Sequence, residues 1–307
     1  MPQTTILLAG GSGFVGKQLA NYFEGKGHTL HILTRAENPS RLNRNNLKFF
    51  HWNPQKGTID KEAFKDVNSI FNLSGANIGE KRWTGIRKQE IIESRLASTR
   101  LLFETVRDNK LKIEKIISSS AVGYYGMLTS HETFLESSPP GYDFLAEVCI
   151  AWENEALKFE KLGVKVVILR KGIVIGDGGA YKKLTSLAKL GINTCLGNGK
   201  QFMPWIDISD LSRIYEFALS HPEMQGIYNA VSDEGITMKK FANDIARSLG
   251  KKIITPPAPA FLIRIMLGEM AEMLLTGSRI SNGKLKGLGF KFQYPQILES
   301  LNHLSNK

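Results

Sequence analysis

The stretch ILLAGGSGFVGKQL, Ile6 to Leu19, sets an apolar strand directly against three glycines, Gly10, Gly13 and Gly16. Thr5 to Ala9 is apolar and β-branched without alternation, as suits a strand covered on both faces in a parallel sheet. Beyond Gly13, the residues Val15, Leu19, Tyr22 and Phe23 fall on one face of a predicted helix. Strand, glycine turn and helix in this order make an anion site. Free N–H groups and the positive end of the helix dipole face a diphosphate, and glycine lets the backbone approach it closely. Tight strand-to-helix turns also collect glycine for packing reasons, so the turn alone is ambiguous. Its context is informative: the helix ends in Gly25-Lys26-Gly27 and a second strand follows at Leu30–Leu33. The unit has the ~30 residues that a dinucleotide fingerprint requires.

The end of the second strand selects the cofactor. An acidic side chain there would hold the adenosine ribose hydroxyls of NAD. The chain instead reads Leu33-Thr34-Arg35, and a guanidinium pairs with a 2′-phosphate. A solvated arginine at a strand end is the alternative. The sequence thus favours NADP(H) over NAD(H).

With 307 residues, 42% hydrophobic and 22% charged, the chain can bury a large core as one large or two joined domains. Its net charge of +11 is scattered, without a Lys/Arg block or interleaved aromatics, so nucleic acid is not the expected partner. A polyanionic small molecule accounts for part of the excess and a solvated surface for the rest. Cys149 and Cys195 form no C-x-x-C, and the histidines do not cluster with acids at ligand spacing, so no metal site is expected. A reducing cytoplasm fits this cysteine usage. No signal peptide is expected, and Ala258–Leu275, interrupted by Arg264, Glu269 and Glu272, reads as an amphipathic helix and not as a membrane span. Oligomeric state is not legible.

Strand-like runs recur between helical stretches at 69–73, 115–118 and 165–169, the alternation of a doubly wound α/β sheet. Ligands on such sheets sit outside the carboxyl ends of the strands. There the chain is polar and glycine-rich: Ser74-Gly75-Ala76-Asn77, then Ser118 to Gly126, then Arg170 to Gly176.

The motifs GGSGFVG, NLSGANI, SSSAVGYYG, LRKGIVIG, WIDISDL and GIYNAVSDEGITMKKFA resemble the extended (atypical) short-chain dehydrogenase/reductase superfamily, in its NAD-dependent epimerase/dehydratase branch. EKRWTGIRKQEIIESR, DFLAEVCIAWENEA, GNGKQFMPWID and the closing GEMAEMLLTGSRISNGKLKGLGFKFQYP are similar to a sugar-nucleotide-epimerase-like family whose physiological substrate is not established. The resemblance implies a Rossmann-type domain over 1–175, with a contribution from 200–232. Residues 176–307 would supply a substrate-binding lid region and a smaller C-terminal domain. It implies cofactor contacts at Gly10, Ser12, Gly13, Phe14, Val15, Gly16, Thr34, Arg35, Leu73 and Ser74, and also at Glu90 and Arg95. From spacing alone, the helix carrying Arg87, Lys88, Glu90, Glu93 and Arg95 reads as a solvated, salt-bridged surface.

The resemblance has a gap where chemistry is usual. The superfamily transfers protons with a tyrosine and a lysine four residues on, and orients substrate with a serine. Ser120 fits the serine. Leu145 and Cys149, or with a small gap Phe144 and Val148, stand where the pair belongs. Tyr124 and Tyr125 follow the serine strand and are candidate acids, with aromatic packing as the alternative. Lys81, Arg82 and Trp83 are candidates for substrate contact, as are Gln201 and Trp205 in the glycine-hinged stretch Gly197–Trp205. Asp207 and Asp210 read as helix-capping residues, with Ser209 and Asp210 before a helix starting near Leu211. The expected substrate is a small molecule, a nucleotide-linked sugar or another carbonyl compound. The expected function is that of an NADP(H)-binding, epimerase-like oxidoreductase. A catalytically inactive dinucleotide-binding regulator or redox sensor is the alternative.

Overall fold

The computed structural model describes residues 3–179, 181, 182, 185, 195–250 and 257–306. The opening run forms β1 (Thr5–Ala9), whose alternate side chains enter different cores: Ile6 and Leu8 one, Leu7 and Ala9 the other. That double burial explains why the strand lacks a polar face. β1 lies inside an eight-stranded sheet with β2 (Thr29–Thr34), β3 (Leu47–Asn53), β4 (Thr58–Ile59), β5 (Val67–Asn72), β6 (Lys115–Ala121), β8 (Lys165–Lys171) and β11 (Gly226–Ala230). The order is β11-β8-β6-β5-β1-β2-β3-β4, parallel except for the short β3–β4 pair. This is a doubly wound, Rossmann-type sheet, as the alternation predicts.

Helices α1 (Phe14–Gly25) and α4 (Ile208–Ser220) cover one face through Leu19, Phe23, Leu211, Ile214 and Tyr215. Helices α2 (Gly85–Asp108) and α3 (Phe144–Leu157) cover the other through Leu101, Leu102, Val106 and Ala156. Each fully buried leucine, isoleucine, valine or phenylalanine among them contributes about 1.5–3 kcal/mol of transfer free energy. β3 was not anticipated: near the sheet edge it is half-buried, and its mixed pattern LKFFHWN does not read as a core strand.

The chain beyond Gly176 is not wholly a separate unit, because α4 and β11 belong to the main sheet layers. Beyond these, α8 (Gly283–Gly287) joins the main core through Leu285, and a separate cluster forms around β9 (Ile173–Ile175), paired in parallel with β10 (Trp205–Asp207), and around α5 (Met238–Ser248) and α9 (Ile297–Ser305). Ile175, Trp205, Phe241, Ile245 and Leu301 form its core. α4 starts earlier than the sequence suggests: Asp207 is the N-cap, accepting from Ser209 N at 2.6 Å. Asp210 is instead buried in the first turn, where it accepts from Gln293 N and Tyr294 N and pairs with Arg213. The amphipathic 258–275 segment is broken into α6 (Ala260–Leu267) and α7 (Glu272–Leu275) at Gly268, whose φ of 61° favours glycine. No helix among the described residues is long and apolar enough to cross a membrane.

Candidate functional site

Two hollows open along the carboxyl edge of the sheet and meet at the glycine turn. Gly10 has φ +88°, and a Cβ there would stand 2.8 Å from the Leu73 carbonyl carbon. A Cβ on Gly16 would stand 2.2 Å from Gly10 O, so α1 starts as close to β1 as backbone permits. Gly13 is the N-cap of α1 and brings no side-chain acceptor, so no side chain caps the first-turn N–H groups.

The smaller hollow, about 310 Å³, brings together Gly10, Ser12, Thr34, Arg35, Ser74 and Glu90. It extends from the end of β2 to the first turns of α2. Arg35 is exposed at its rim. Arg87 is buried beneath it, donating to Asn77 O at 2.5 Å and pairing with Glu90 at 2.7 Å. That hydrogen bond holds the Glu90 carboxyl below its ordinary pKa. Two buried atoms of residues lining this hollow, Ser74 Oγ and Arg87 Nε, have no hydrogen-bond partner. Buried polar atoms left unpaired cost about 1–3 kcal/mol each, so they are suited to meet a polar ligand. The polar lining, glycine turn and orphaned donors fit the adenosine half of a dinucleotide.

The larger cleft, about 560 Å³, collects Gly10, Gly13, Phe14, Val15, Gly16, Leu73, Arg95 and Tyr125. Arg95, which spacing alone assigns to a solvated helix face, is turned inward. It donates to Ile91 O at 2.8 Å and Ala76 O at 3.2 Å, and its guanidinium lies 5.0 Å from the Trp152 ring centroid. It packs so tightly over Gly75 that a Cβ there would stand 2.9 Å from Arg95 Cζ. Burial brings its pKa down to about 10. Opposite, Leu145 and Cys149 of α3 both face Gly123, whereas Phe144 points away into a cluster with Trp83. The Cys149 thiol lies 3.6 Å from Ala121 O, and burial pushes its pKa up to about 11.

Ser120 does not face the cleft as a free hydroxyl. It donates to Glu153 Oε1 at 2.6 Å, and Arg170 clamps the same carboxylate with Nε at 2.9 Å and Nη2 at 2.8 Å. Both ionic side chains are almost fully buried. Burial opposes the charge on Arg170, but its bonds to Glu153 hold its pKa above the ordinary value. The Arg170 guanidinium also stacks 3.3 Å from the Tyr124 ring centroid and donates to Tyr125 OH at 3.1 Å. Tyr125 in turn donates to Asn229 Oδ1 at 2.6 Å, and burial raises its pKa. The serine and the tyrosines proposed from sequence as catalytic are therefore engaged with a buried ion pair.

Three substrate candidates are placed away from the cleft lining. Trp83 is buried against Phe144 and donates to Ile78 O at 2.9 Å. Gln201 is buried and donates to Leu196 O and Leu274 O. Trp205 is a core side chain bonded to Glu234 O, because β10 turns it inward. Lys81 and Arg82 are exposed, with Arg82 lying against Gly268. Phe202, Met203 and Pro204, which lie between Gln201 and Trp205, form the cleft wall instead.

Sequence reasoning assigned no role to Lys171, the last residue of β8, although it stands at a strand end. It lines the larger cleft and donates to Ser119 Oγ at 2.9 Å, which in turn meets Tyr215 OH at 2.9 Å. Burial, then the field of Arg95, bring its pKa down to about 8. Glu153 and Arg170 were also missed. Their pairing joins α3 to β8 across 17 residues, a distance that no local pattern reveals.

A doubly wound sheet with a glycine turn and a two-part hollow along its carboxyl edge defines a dinucleotide-binding protein of the Rossmann class. A family model described as the NAD dependent epimerase/dehydratase family matches residues 6–230, and another, a domain of unknown function (DUF1731), matches 258–304. The chain belongs to the NAD dependent epimerase/dehydratase family. It is 33% identical over 311 residues to an epimerase family protein of Mycobacterium bovis, covering 100% of this chain and 99% of that one. It is 32% identical to one of Staphylococcus epidermidis, covering 97% and 98%. Among solved structures it is similar to a human epimerase family protein with NADPH, at TM-score 0.86 and 25% identity, covering 99% and 100%.

Proposed function

We propose that the protein binds NADP(H) in the two-part hollow and acts as an epimerase-family oxidoreductase on a small carbonyl compound, nucleotide-linked sugars included. The observation that carries the cofactor is the pair of orphaned buried donors, Ser74 Oγ and Arg87 Nε, in a hollow rimmed by Thr34 and Arg35. Arg35 would pair with the 2′-phosphate, the glycine turn would receive the diphosphate, and Arg95 and Glu90 would hold the middle of the molecule. The NADPH in the human relative's structure supports the same reading. Bound NADPH would supply a hydride to the substrate.

The apolar wall of Leu145, Val148, Met203 and Pro204 would exclude water from the reacting end. A second reading, a dinucleotide-binding regulator that senses redox state, is favoured by one observation: Ser120 is spent on Glu153 and no tyrosine-lysine pair stands on α3. Titration of NADPH and NADH by calorimetry tests the shared part. NADPH should bind about tenfold tighter or more, and equal affinities would reject the cofactor assignment. A screen for loss of nicotinamide absorbance with carbonyls and nucleotide-sugars then separates enzyme from sensor.

A further inference from the structure

The sheet order gives the hollow a direction. Passing from β2 to β1, β5, β6 and β8 leads from Thr34 and Arg35, past the glycine turn, to Lys171. A dinucleotide held at the turn with its adenosine end by Arg35 therefore reaches toward β8 with its nicotinamide end. Lys171 stands there with a neutral partner, Ser119 Oγ, and no carboxylate within 4.0 Å among the described residues.

The groups around it add no negative charge, and the field of Arg95 disfavours its protonated form. Arg95 on α2 is a second cation, and Cys149 on α3 keeps its proton because burial raises its pKa. Tyr215 on α4, beyond Ser119, and Tyr125 after β6 are likewise raised by burial. No carboxylate is among the described residues that line the cleft.

An oxidised nicotinamide ring carries a positive charge and a reduced ring carries none, while the rest of the two molecules is alike. A cation facing the ring therefore repels one form and not the other, and deprotonation removes the repulsion. We propose that Lys171 is the residue by which this cleft distinguishes reduced from oxidised NADP, its ammonium favouring NADPH. The inference rests on the NADP(H) reading and serves either version of it: a reductase charged with its working cofactor, or a sensor of the reduced pool. With the free lysine titrating at about 8, discrimination is present at neutral pH and fades as pH rises. The 2′-phosphate, whose second ionisation is near ~6, is common to both nucleotides and cancels in their ratio.

The experiment is calorimetric titration of NADPH and of NADP⁺ into the full chain at about pH 7 and about pH 9, for wild type, Lys171→Met and Lys171→Gln. In the wild type the ratio of dissociation constants should favour NADPH by about tenfold or more at the lower pH, and shrink about threefold or more at the higher. Both variants should lower the ratio at neutral pH and leave it insensitive to pH. A wild-type ratio equal at both pH values, or a variant that keeps the wild-type ratio and its pH dependence, overturns the proposal. Should a variant fail to fold, the wild-type pH dependence still decides. Failure of the wild type to bind either nucleotide is a different result, since it removes the NADP(H) reading and the proposal with it.

Discussion

Replacing Ser120 by alanine distinguishes a serine that orients substrate from one that holds the fold. Its hydroxyl gives Glu153 a 2.6 Å hydrogen bond inside a site where Glu153 and Arg170 are 4% and 1% exposed. A hydrogen bond to a buried charge contributes about 1.5–3 kcal/mol. Glu153 keeps both bonds from Arg170, so Ser120→Ala should cost an amount near the lower end of that range. Glu153→Gln leaves the Arg170 guanidinium buried without a counter-charge, and breaking a buried pair this way costs about 3–5 kcal/mol. Urea unfolding followed by fluorescence and by circular dichroism measures both. Titration of NADPH in parallel should show Ser120→Ala within about twofold of wild type, since the serine faces α3 and not the hollow. An unchanged urea midpoint in Ser120→Ala would refute the structural role and return the hydroxyl to catalysis.

Arg35→Ala should reduce the preference for NADPH over NADH about tenfold or more, read by calorimetry, because the 2′-phosphate loses its guanidinium. Arg95→Met and Glu90→Gln should each weaken NADPH about fivefold or more, and unchanged affinity in both would leave the nucleotide to the glycine turn and Arg35. Lys171→Met should stabilise the protein at neutral pH. The folded-state pKa of about 8 lies below the ordinary lysine value, so the half-buried ammonium is a cost below about pH 8 that disappears as pH rises through about 10.5. The gain, about 1–3 kcal/mol at pH 7 by urea unfolding, should shrink by about pH 10, and a gain independent of pH would contradict the assignment.

What was legible in the sequence follows from range. The glycine turn, the strand after it and the Thr34-Arg35 terminus are local patterns, in which backbone freedom and strand ends are written in consecutive residues. The charged stretch of α2 was misread from spacing because its composition is that of a solvated face. What turns Arg87 and Arg95 inward is the turn after β5, where Asn77 O accepts from Arg87 and Ala76 O from Arg95, and Gly75, which leaves room for the Arg95 guanidinium, is twenty residues away by sequence. Trp205 and Gln201 read as cleft lining from sequence because they sit in a glycine-rich stretch. Pairing of β10 with β9 instead commits Trp205 to a core that only the folded chain creates. Lys171 was visible as the end of a strand, but its partial burial in the cleft, with no carboxylate within 4.0 Å among the described residues, is a tertiary fact.

The same distinction bears on the absent tyrosine-lysine pair. Of the residues that the resemblance aligns with phenol and ammonium, Leu145 and Cys149 face Gly123 with a hydrocarbon and a thiol that stays protonated, and the alternative pair, Phe144 and Val148, is apolar. None of them transfers a proton near neutral pH. Yet the cleft has not become neutral: Arg95 brings positive charge from α2, on one side of Cys149, and Lys171 brings it from β8. A lysine at position 149 would stand close to Arg95, whose charge the Cys149 thiol already feels, and like charges repel at short range. Arg95 and Lys171 already share this cleft, where the field of Arg95 lowers the Lys171 pKa, and a third cation on α3 would add to that repulsion. On the proposed reading, cations supplied from α2 and β8 would hold an anionic cofactor and bias its oxidation state, whereas α3 carries no phenol to exchange a proton with substrate.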